Sequence, residues 1–229
     1  MRGWLSTGNE IAAFWYPRPS HAGHLHRDRR LALLAPRWST TGIARRNNIE
    51  MREVPILSRW PERLKAAEDL DADVLISALF DYRVPTDMLE IFGRKAVNLH
   101  PAPLPAYRGP HATQWMILHG SIRSQAAVTL HVMSAEFDAG DVIASCPVSF
   151  PADGSLTRYS MAVAEATRHL TAHALPRYLA GEIVSKPQDA DRANYCRLTS
   201  AQLMIGPHLD SETVRFMCET FGSIGMLSV

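Results

Sequence analysis

The sequence has no apolar run long enough to cross a bilayer, and it has few cysteines. A membrane-spanning helix needs roughly 20 consecutive apolar residues, and every apolar stretch of the 229-residue chain is interrupted before that length. The 3 cysteines are far apart and lack the spacing of a metal site or a disulfide framework; they are Cys146, Cys196 and Cys218. We therefore expect a cytoplasmic protein with reduced thiols and no metal site.

Charge is balanced over the whole chain but not along it. The formal net charge is +1, yet residues 1–52 hold nine arginines against three acidic residues, so the remainder carries −5 (1 − 6). Such a segment suits contact with substrate phosphates, an organelle-targeting leader or a solvated tail. We interpret residues 1–28 as an irregular leader. Its histidines have no carboxylate or cysteine partner, so we expect them to be solvated; they are His21, His24 and His26.

Apolar runs alternate with helical patterns along the chain. Hydrophobic residues make up 46% and charged residues 21% of the sequence, as in ordinary globular proteins. Near-continuous apolar runs at 29–37 and 72–80 are typical of buried strands in a parallel sheet. Helical spacing is found at 58–70 and in a long amphipathic stretch that begins near Ser155. The alternation predicts an α/β fold in one domain with a short appendage.

Polar side chains gather where two predicted strands end. KAVNLHP is a short strand that Pro101 ends, and the two-residue offset places Asn98 and His100 on one face. AVTLHVM is a second strand, with Thr129 and His131 on one of its faces, and Asp138 lies in the loop after it. Ligands of open parallel sheets bind at the carboxyl ends of the strands, so we expect Asn98, His100 and Asp138 to converge there.

Three motifs in this region occur in a fixed order. Asn-x-His-Pro begins at Asn98, Leu-Pro-x-x-Arg-Gly begins at Leu104, and Asp-x-Gly-Asp begins at Asp138, 38 residues after His100 (138 − 100). The set resembles the catalytic core of the folate-dependent formyltransferases, a family that includes the methionyl-tRNA, glycinamide-ribonucleotide and amino-sugar N-formyltransferases. The resemblance covers roughly residues 73–195. It implies a Rossmann-like, mostly parallel sheet flanked by helices, with 10-formyltetrahydrofolate as formyl donor.

The same resemblance assigns roles to individual residues. It implies that Asn98 donates to the oxyanion, that His100 donates to it and moves the proton of the amine, and that Asp138 either orients the imidazole or receives the proton through water. The resemblance also implies which loops form the pocket for the pterin ring of the donor. His131 is a weaker candidate for the site than the three residues above. The predicted cofactor-binding residues are Phe80, Tyr82, Val84, Leu104, Glu136, Phe137 and Gly140. Gly140 is expected to permit a tight turn or close approach of the cofactor.

The length of the C-terminal segment affects which formyl acceptor we expect. Residues 1–186 would form the catalytic domain, and 187–229 a connector with a short C-terminal segment. That segment is too short for the β-barrel of the tRNA enzymes, so we do not expect tRNA as substrate. We expect the primary amine of a small molecule, a nucleotide-linked amino sugar, and we consider a homodimer. Glycinamide ribonucleotide, a natural-product amine, hydrolysis of the donor and a non-catalytic, decayed copy remain as alternatives.

Overall fold

Strands and helices alternate along the computed structural model, which describes residues 1–17, 39–54, 60–78, 80 and 83–198 and the isolated positions 33, 211, 214 and 218. The strands are β1 Ala13–Pro17, β2 Glu50–Val54, β3 Leu75–Ala78, β4 Ala96–His100, β5 Ala127–Val132 and β6 Val142–Pro147. The α-helices are α1 Arg2–Leu5, α2 Thr40–Arg46, α3 Trp60–Glu68, α4 Thr86–Phe92, α5 Ala112–Leu118, α6 Ile122–Gln125, α7 Leu156–His169 and α8 Leu175–Leu179. No helix in these ranges is both long and apolar enough to cross a membrane.

The strands form two sheets within the described residues. β1 and β2 pair in parallel, with Ala13 opposite Glu50. The other sheet has the order β3-β4-β5-β6; β3 is parallel to β4, whereas β5 is antiparallel to both of its neighbours. Helices flank the sheets, so the predicted α/β class is confirmed. The described strand pairs are divided between parallel and antiparallel.

The segments around the predicted site have nearly their predicted bounds. β4 ends at His100 because Pro101 has no N–H with which to continue the ladder. The long amphipathic helix is α7, and the Ser155 side chain caps it by accepting a hydrogen bond from the Arg158 N–H at 3.3 Å. A five-residue π-helical turn, Leu170–Ala174, separates α7 from α8, which begins next to Pro176. Pro176 is tolerated there because it lies in the first turn of α8, where the N–H that proline lacks would have no helical partner within α8.

Two hydrophobic clusters hold the larger sheet against its helices. The larger cluster joins β4 and β5 to α5 and α7, and Val97, Leu130 and Met116 are fully buried in it. In the smaller cluster, Met88 and Phe92 of α4 pack around the start of β4. Full burial of a side chain of this kind stabilises the fold by about 1.5–3 kcal/mol. This packing fixes the two strands from which the polar side chains of the site project.

The N-terminal segment has regular structure where it is described. Helix α1 contacts the π-helical turn, and a Cβ added to Gly3 would lie 2.1 Å from Thr171 Oγ1. The expected irregular leader therefore contains α1 and β1 over residues 1–17; its Phe-Trp-Tyr run has strand propensity and finds β2 to pair with. Apart from isolated positions, the predicted strand at 29–37, the leader histidines and the segment after residue 198 lie outside the described residues.

Candidate active site

Four polar side chains lie on one face of the paired strands β4 and β5. Asn98 is opposite His131 in the antiparallel register, and His100 is opposite Thr129. Directly opposite residues of an antiparallel pair project to the same side of the sheet. The sequence-based placement of Asn98 and His100 on one face is therefore confirmed, and His131 lies beside them.

Asp138 reaches this face from the loop that follows β5. Its Oδ1 accepts a hydrogen bond from Asn98 Nδ2 at 3.2 Å, its Oδ2 accepts one from the Gly109 N–H at 2.8 Å, and Oδ2 lies 3.4 Å from His100 Nδ1. Because β5 is antiparallel to β4, the carboxyl end of β5 lies beside Val97 and the loop must fold back. The three predicted residues do converge, but a folded-back loop brings them together, not neighbouring carboxyl ends of parallel strands.

The carboxyl group of Asp138 is ionised at neutral pH. Burial alone would raise its pKa, but the contact with His131, the positive charge that His100 carries whenever it is protonated, and the Gly109 N–H outweigh burial and lower the pKa to about 2. The side chain is only 10% exposed. A fixed negative charge therefore lies inside the site, within reach of both imidazoles.

His100 is a buried, neutral imidazole. Its Nε2 lies 2.7 Å from the Tyr107 carbonyl oxygen, which can only accept, so Nε2–H donates and Nδ1 keeps its lone pair. Burial is the main cause that lowers the pKa of His100; Asp138 and the Tyr107 carbonyl oppose it, and His131 adds to it. A proton taken up at Nδ1 would arrive next to the carboxylate of Asp138.

His131 and Asn98 form a second pair under the same carboxylate. His131 is 1% exposed, and its Nδ1–H donates to the Val132 carbonyl at 2.9 Å. Its Nε2 is therefore free to accept from Asn98 Nδ2 at 3.1 Å. Both N–H groups of Asn98 are thus used, one toward His131 and one toward Asp138. His131 carried little weight in the sequence-based prediction because its alignment with Asn98 depends on a strand register that local patterns do not contain.

A cleft of about 330 Å³ opens over these side chains. Of the predicted cofactor-binding residues, four line it: Phe80, Val84, Glu136 and Phe137. Lining residues that the sequence did not single out as cofactor-binding include Ser77, Arg83, Thr113, Gln114, Met133 and Ser134. The Arg83 guanidinium donates to the Ala135 carbonyl and so joins the two loops that form one wall. No cluster of three or more potential metal ligands occurs among the described residues.

The other predicted cofactor-binding residues are placed differently. Leu104 and Gly140 do not line the cleft, and Tyr82 lies outside the described residues. The Leu104 N–H donates to Thr129 Oγ1 at 3.3 Å, so the proline-rich loop that carries Leu104 covers Thr129 on the face of the sheet that also bears His100. A Cβ on Gly140 would lie 1.9 Å from the Val132 carbonyl oxygen. Glycine is therefore needed at position 140 for packing of the folded-back loop against β5.

Comparison with known families identifies the chain. The sequence pattern of the family described as Formyl transferase matches residues 48–175, which is 128 of the 229 residues (175 − 48 + 1). The chain belongs to the formyl transferase family. Asn98, His100 and Asp138 all lie inside the matched region, whereas the connector after residue 186 lies beyond it.

Curated relatives of this formyl transferase are methionyl-tRNA formyltransferases. The enzyme of Streptococcus agalactiae is 33% identical over 153 residues, which cover 67% of this chain and 48% of the relative. That of Roseiflexus castenholzii is 34% identical over 156 residues, covering 65% of this chain and 48% of the relative. The chain thus spans about half the length of the curated relatives it matches.

Solved structures of other proteins share the fold. A variant of HypX from Aquifex aeolicus superposes with a TM-score of 0.63 at 22% identity, over 93% of this chain and 36% of that chain. PseJ from Anoxybacillus kamchatkensis, in complex with UDP-4,6-dideoxy-4-formamido-L-AltNAc and tetrahydrofolate, has a TM-score of 0.54 at 20% identity, over 83% and 88%. Methionyl-tRNA formyltransferase from Clostridium thermocellum has 0.56 at 16% identity, over 91% and 82%. At these identities the likeness establishes the fold alone.

Proposed function

We propose that this formyl transferase moves a formyl group from 10-formyltetrahydrofolate to the primary amine of a small molecule, and that the amine belongs to a nucleotide-linked amino sugar. The observation that carries the proposal is the convergence of Asn98, His100 and Asp138 beneath the cleft. Family membership supports formyl chemistry. The structure of PseJ with tetrahydrofolate and a UDP-linked formamido sugar supports the choice of donor and acceptor class.

The cleft suits part of a folate. Its volume of about 330 Å³ lies within the range of small-molecule sites, roughly 300–1,000 Å³. Phe80, Val84 and Phe137 give it apolar walls for a flat ring. These residues would hold the donor, whose formyl group supplies the one-carbon unit for the reaction, with the reacting carbon near His100 and Asp138.

His100 handles the proton in this proposal. Transfer joins the amine nitrogen to the formyl carbon, breaks the bond from that carbon to the donor nitrogen and frees one proton from the amine. His100 accepts the proton at Nδ1, where the carboxylate of Asp138 stabilises the imidazolium. His100 then returns the proton to the departing donor nitrogen, so that the site ends in the protonation state in which it began.

Asn98 can stabilise the oxyanion in this scheme only if it exchanges one of its present hydrogen bonds. Its two N–H groups already serve His131 and Asp138. Donation to the oxyanion that develops on the formyl group therefore requires Asn98 to release one of them. Removal of such a donor costs roughly 2.7–4 kcal/mol of transition-state stabilisation in other enzymes.

Methionyl-tRNA is a second candidate acceptor. The curated relatives at 33–34% identity are methionyl-tRNA formyltransferases, so the comparisons do not support the expectation that tRNA is no substrate. That expectation depended on the length of the chain after the connector, which does not describe the acceptor pocket. The tRNA therefore belongs in any test of the acceptor.

Mass spectrometry with a panel of amines tests the proposal. The protein is incubated with 10-formyltetrahydrofolate and nucleotide amino sugars, glycinamide ribonucleotide, methionyl-tRNA or no amine, and His100→Asn serves as the inactive control. Addition of one formyl group to an amino sugar is the expected result. Formylation of methionyl-tRNA alone would replace the acceptor, and equal consumption of the donor without amine would indicate a hydrolase.

The cytoplasmic location and the homodimer belong to the same proposal. Residues 215–229 form an apolar C-terminal stretch that could cover a partner surface, and apart from Cys218 they lie outside the described residues. Light scattering of the purified chain distinguishes the 25.5 kDa monomer from a dimer of 51 kDa (2 × 25.5). A monomer at every concentration would contradict the dimer.

A further inference from the structure

The side-chain amide of Gln188 bridges two parts of the site. Its Nε2 donates to the Asp138 carbonyl at 2.8 Å and to the Gly140 carbonyl at 2.6 Å. Its Oε1 accepts from Nε and Nη2 of Arg108 at 3.0 and 2.8 Å. Two carbonyls on one side and a guanidinium on the other allow only one orientation of the amide. All four contacts are with groups at least 48 residues away in sequence, so they order the fold and not a local turn.

The main-chain carbonyls that Gln188 binds lie on either side of Ala139 in the folded-back loop. Asp138 has a φ of 54°, in the left-handed region that non-glycine residues rarely adopt. Gly140 lies against the Val132 carbonyl without room for a side chain. The backbone on both sides of Ala139 is therefore held by one side chain from the connector. A loop in this conformation places the Asp138 carboxylate on the Gly109 N–H.

The connector also binds the loop whose carbonyl group contacts His100. The Tyr107 N–H donates to Asn194 Oδ1 at 2.6 Å, and the Arg108 N–H donates to the Asn194 carbonyl at 2.9 Å. The Cys196 N–H donates to the Arg108 carbonyl at 2.6 Å. Tyr107 supplies the carbonyl that accepts from His100 Nε2. Connector residues thus fix both the loop of Asp138 and the partner of His100.

We propose that Gln188 is a positioning residue of the formyl transfer reaction: through the carbonyls of Asp138 and Gly140 it holds the Asp138 carboxylate in register with His100, and Arg108 holds Gln188. The proposal rests on the proposed function. Gln188 lies 13 positions beyond the region that the family pattern matches (188 − 175). The connector would accordingly be part of the active site and not only a link to the C-terminal segment.

Gln188→Glu separates the two halves of the bridge. A glutamate can still pair with Arg108, but it has no N–H for the two carbonyls and its charge repels them. Gln125→Glu is the matched control, because Gln125 is exposed at the end of α6 and its side chain makes no described contact with the site. Gln188→Ala is the second variant; it removes the donor without adding a charge.

Two readouts separate this proposal from the proposed function. We expect kcat for formyl transfer to fall about 10- to 100-fold in Gln188→Glu and Gln188→Ala with little change in KM for the donor, because the misplaced group acts in the reaction and not in binding. We expect the Gly109 amide, which donates to Asp138, to exchange hydrogen at least about 10-fold faster in both variants. Gln125→Glu should match wild type in both readouts.

The results test the positioning role of Gln188 separately from the proposed formyl transfer. Wild-type Gly109 exchange and wild-type kcat in both Gln188 variants would overturn the positioning role. A higher KM for the donor and a lower free energy of unfolding, without faster hydrogen exchange at Gly109, would also overturn it. The substitution would then act on the whole fold and not on the position of Asp138. If wild type transfers no formyl group, the proposed function fails, and the exchange of Gly109 still shows whether Gln188 holds Asp138.

Discussion

The neutral imidazole of His100 determines how the site should respond to pH. If neutral His100 accepts the amine proton, kcat/KM falls as pH drops through its pKa, which burial lowers below the ordinary value of 6.5. Asp138 raises this pKa, so Asp138→Asn should move the acid limb to still lower pH while kcat falls about 100-fold. Profiles of kcat/KM against pH for both proteins give the comparison. An acid limb at the same pH in both would remove His100 from the role of base.

The same group should affect stability with a definite sign. A histidine whose pKa is lowered by folding binds its proton more readily in the unfolded chain, so the free energy of unfolding falls as pH drops below 6.5 toward the pKa of the folded state. In that pH window the titration of His100 lowers the free energy of unfolding by at most about 1.4 kcal/mol per pH unit. His100→Asn should therefore lose less stability than wild type between about pH 7 and pH 5. Denaturant unfolding at several pH values measures this, and parallel curves would contradict a buried, neutral His100.

The folded-back loop after β5 depends on close packing at Gly140. In Gly140→Ala the new Cβ would meet the Val132 carbonyl oxygen at 1.9 Å, so the loop or the end of β5 must move. We expect a loss of about 2 to 3 kcal/mol of unfolding free energy, and loss of transfer activity because Asp138 moves with the loop. Thermal and denaturant unfolding without ligand measure the first effect.

Gly154→Ala provides the control for that substitution. Gly154 has a φ of 71° but open space around it, so alanine there meets only backbone strain. A cost of about 1 kcal/mol with full activity is expected. If Gly140→Ala is as stable as Gly154→Ala and loses only affinity for folate, then position 140 serves the cofactor and not the loop.

At the level of strands and helices, much could be predicted from the sequence. The bounds of β4 and β5 follow from apolar runs and from Pro101, and the shared face of Asn98 and His100 follows from strand alternation. The direction of β5 could not be predicted, because an alternating strand has the same pattern in parallel and antiparallel pairs. The role of His131 was missed for the same reason, since only the register places it opposite Asn98.

Across the whole molecule, the unpredicted contacts are those between distant segments. Gln188 meets Arg108 across 80 residues and Gly140 across 48. Such bonds leave no periodicity, cap or turn signal near either partner. The motif that carries Arg108 was visible in the sequence, but its partner in the connector was not. A boundary drawn at residue 186 from sequence therefore separates Gln188 from the loop that it holds.

Binding of folate to the intact protein tests the cleft as a unit. If tetrahydrofolate occupies it, saturation at 100 times Kd should add about 2.7 kcal/mol to the free energy of unfolding and raise Tm. Phe137 lines the cleft yet is 38% exposed. Phe137→Ala should therefore fold normally and bind about 10-fold more weakly, which corresponds to about 1.4 kcal/mol of lost apolar contact.

Met161→Ala is the matched control for the folate measurement, because Met161 is a large apolar side chain, 62% exposed, on α7 and outside the cleft lining. It should keep the wild-type Tm shift. Titration of the shift with tetrahydrofolate gives Kd for all three proteins. Equal Kd values would place the folate away from Phe137. Absence of a shift in wild type at high ligand concentration would mean that the cleft does not bind folate, and it would support the alternative of a non-catalytic, decayed copy.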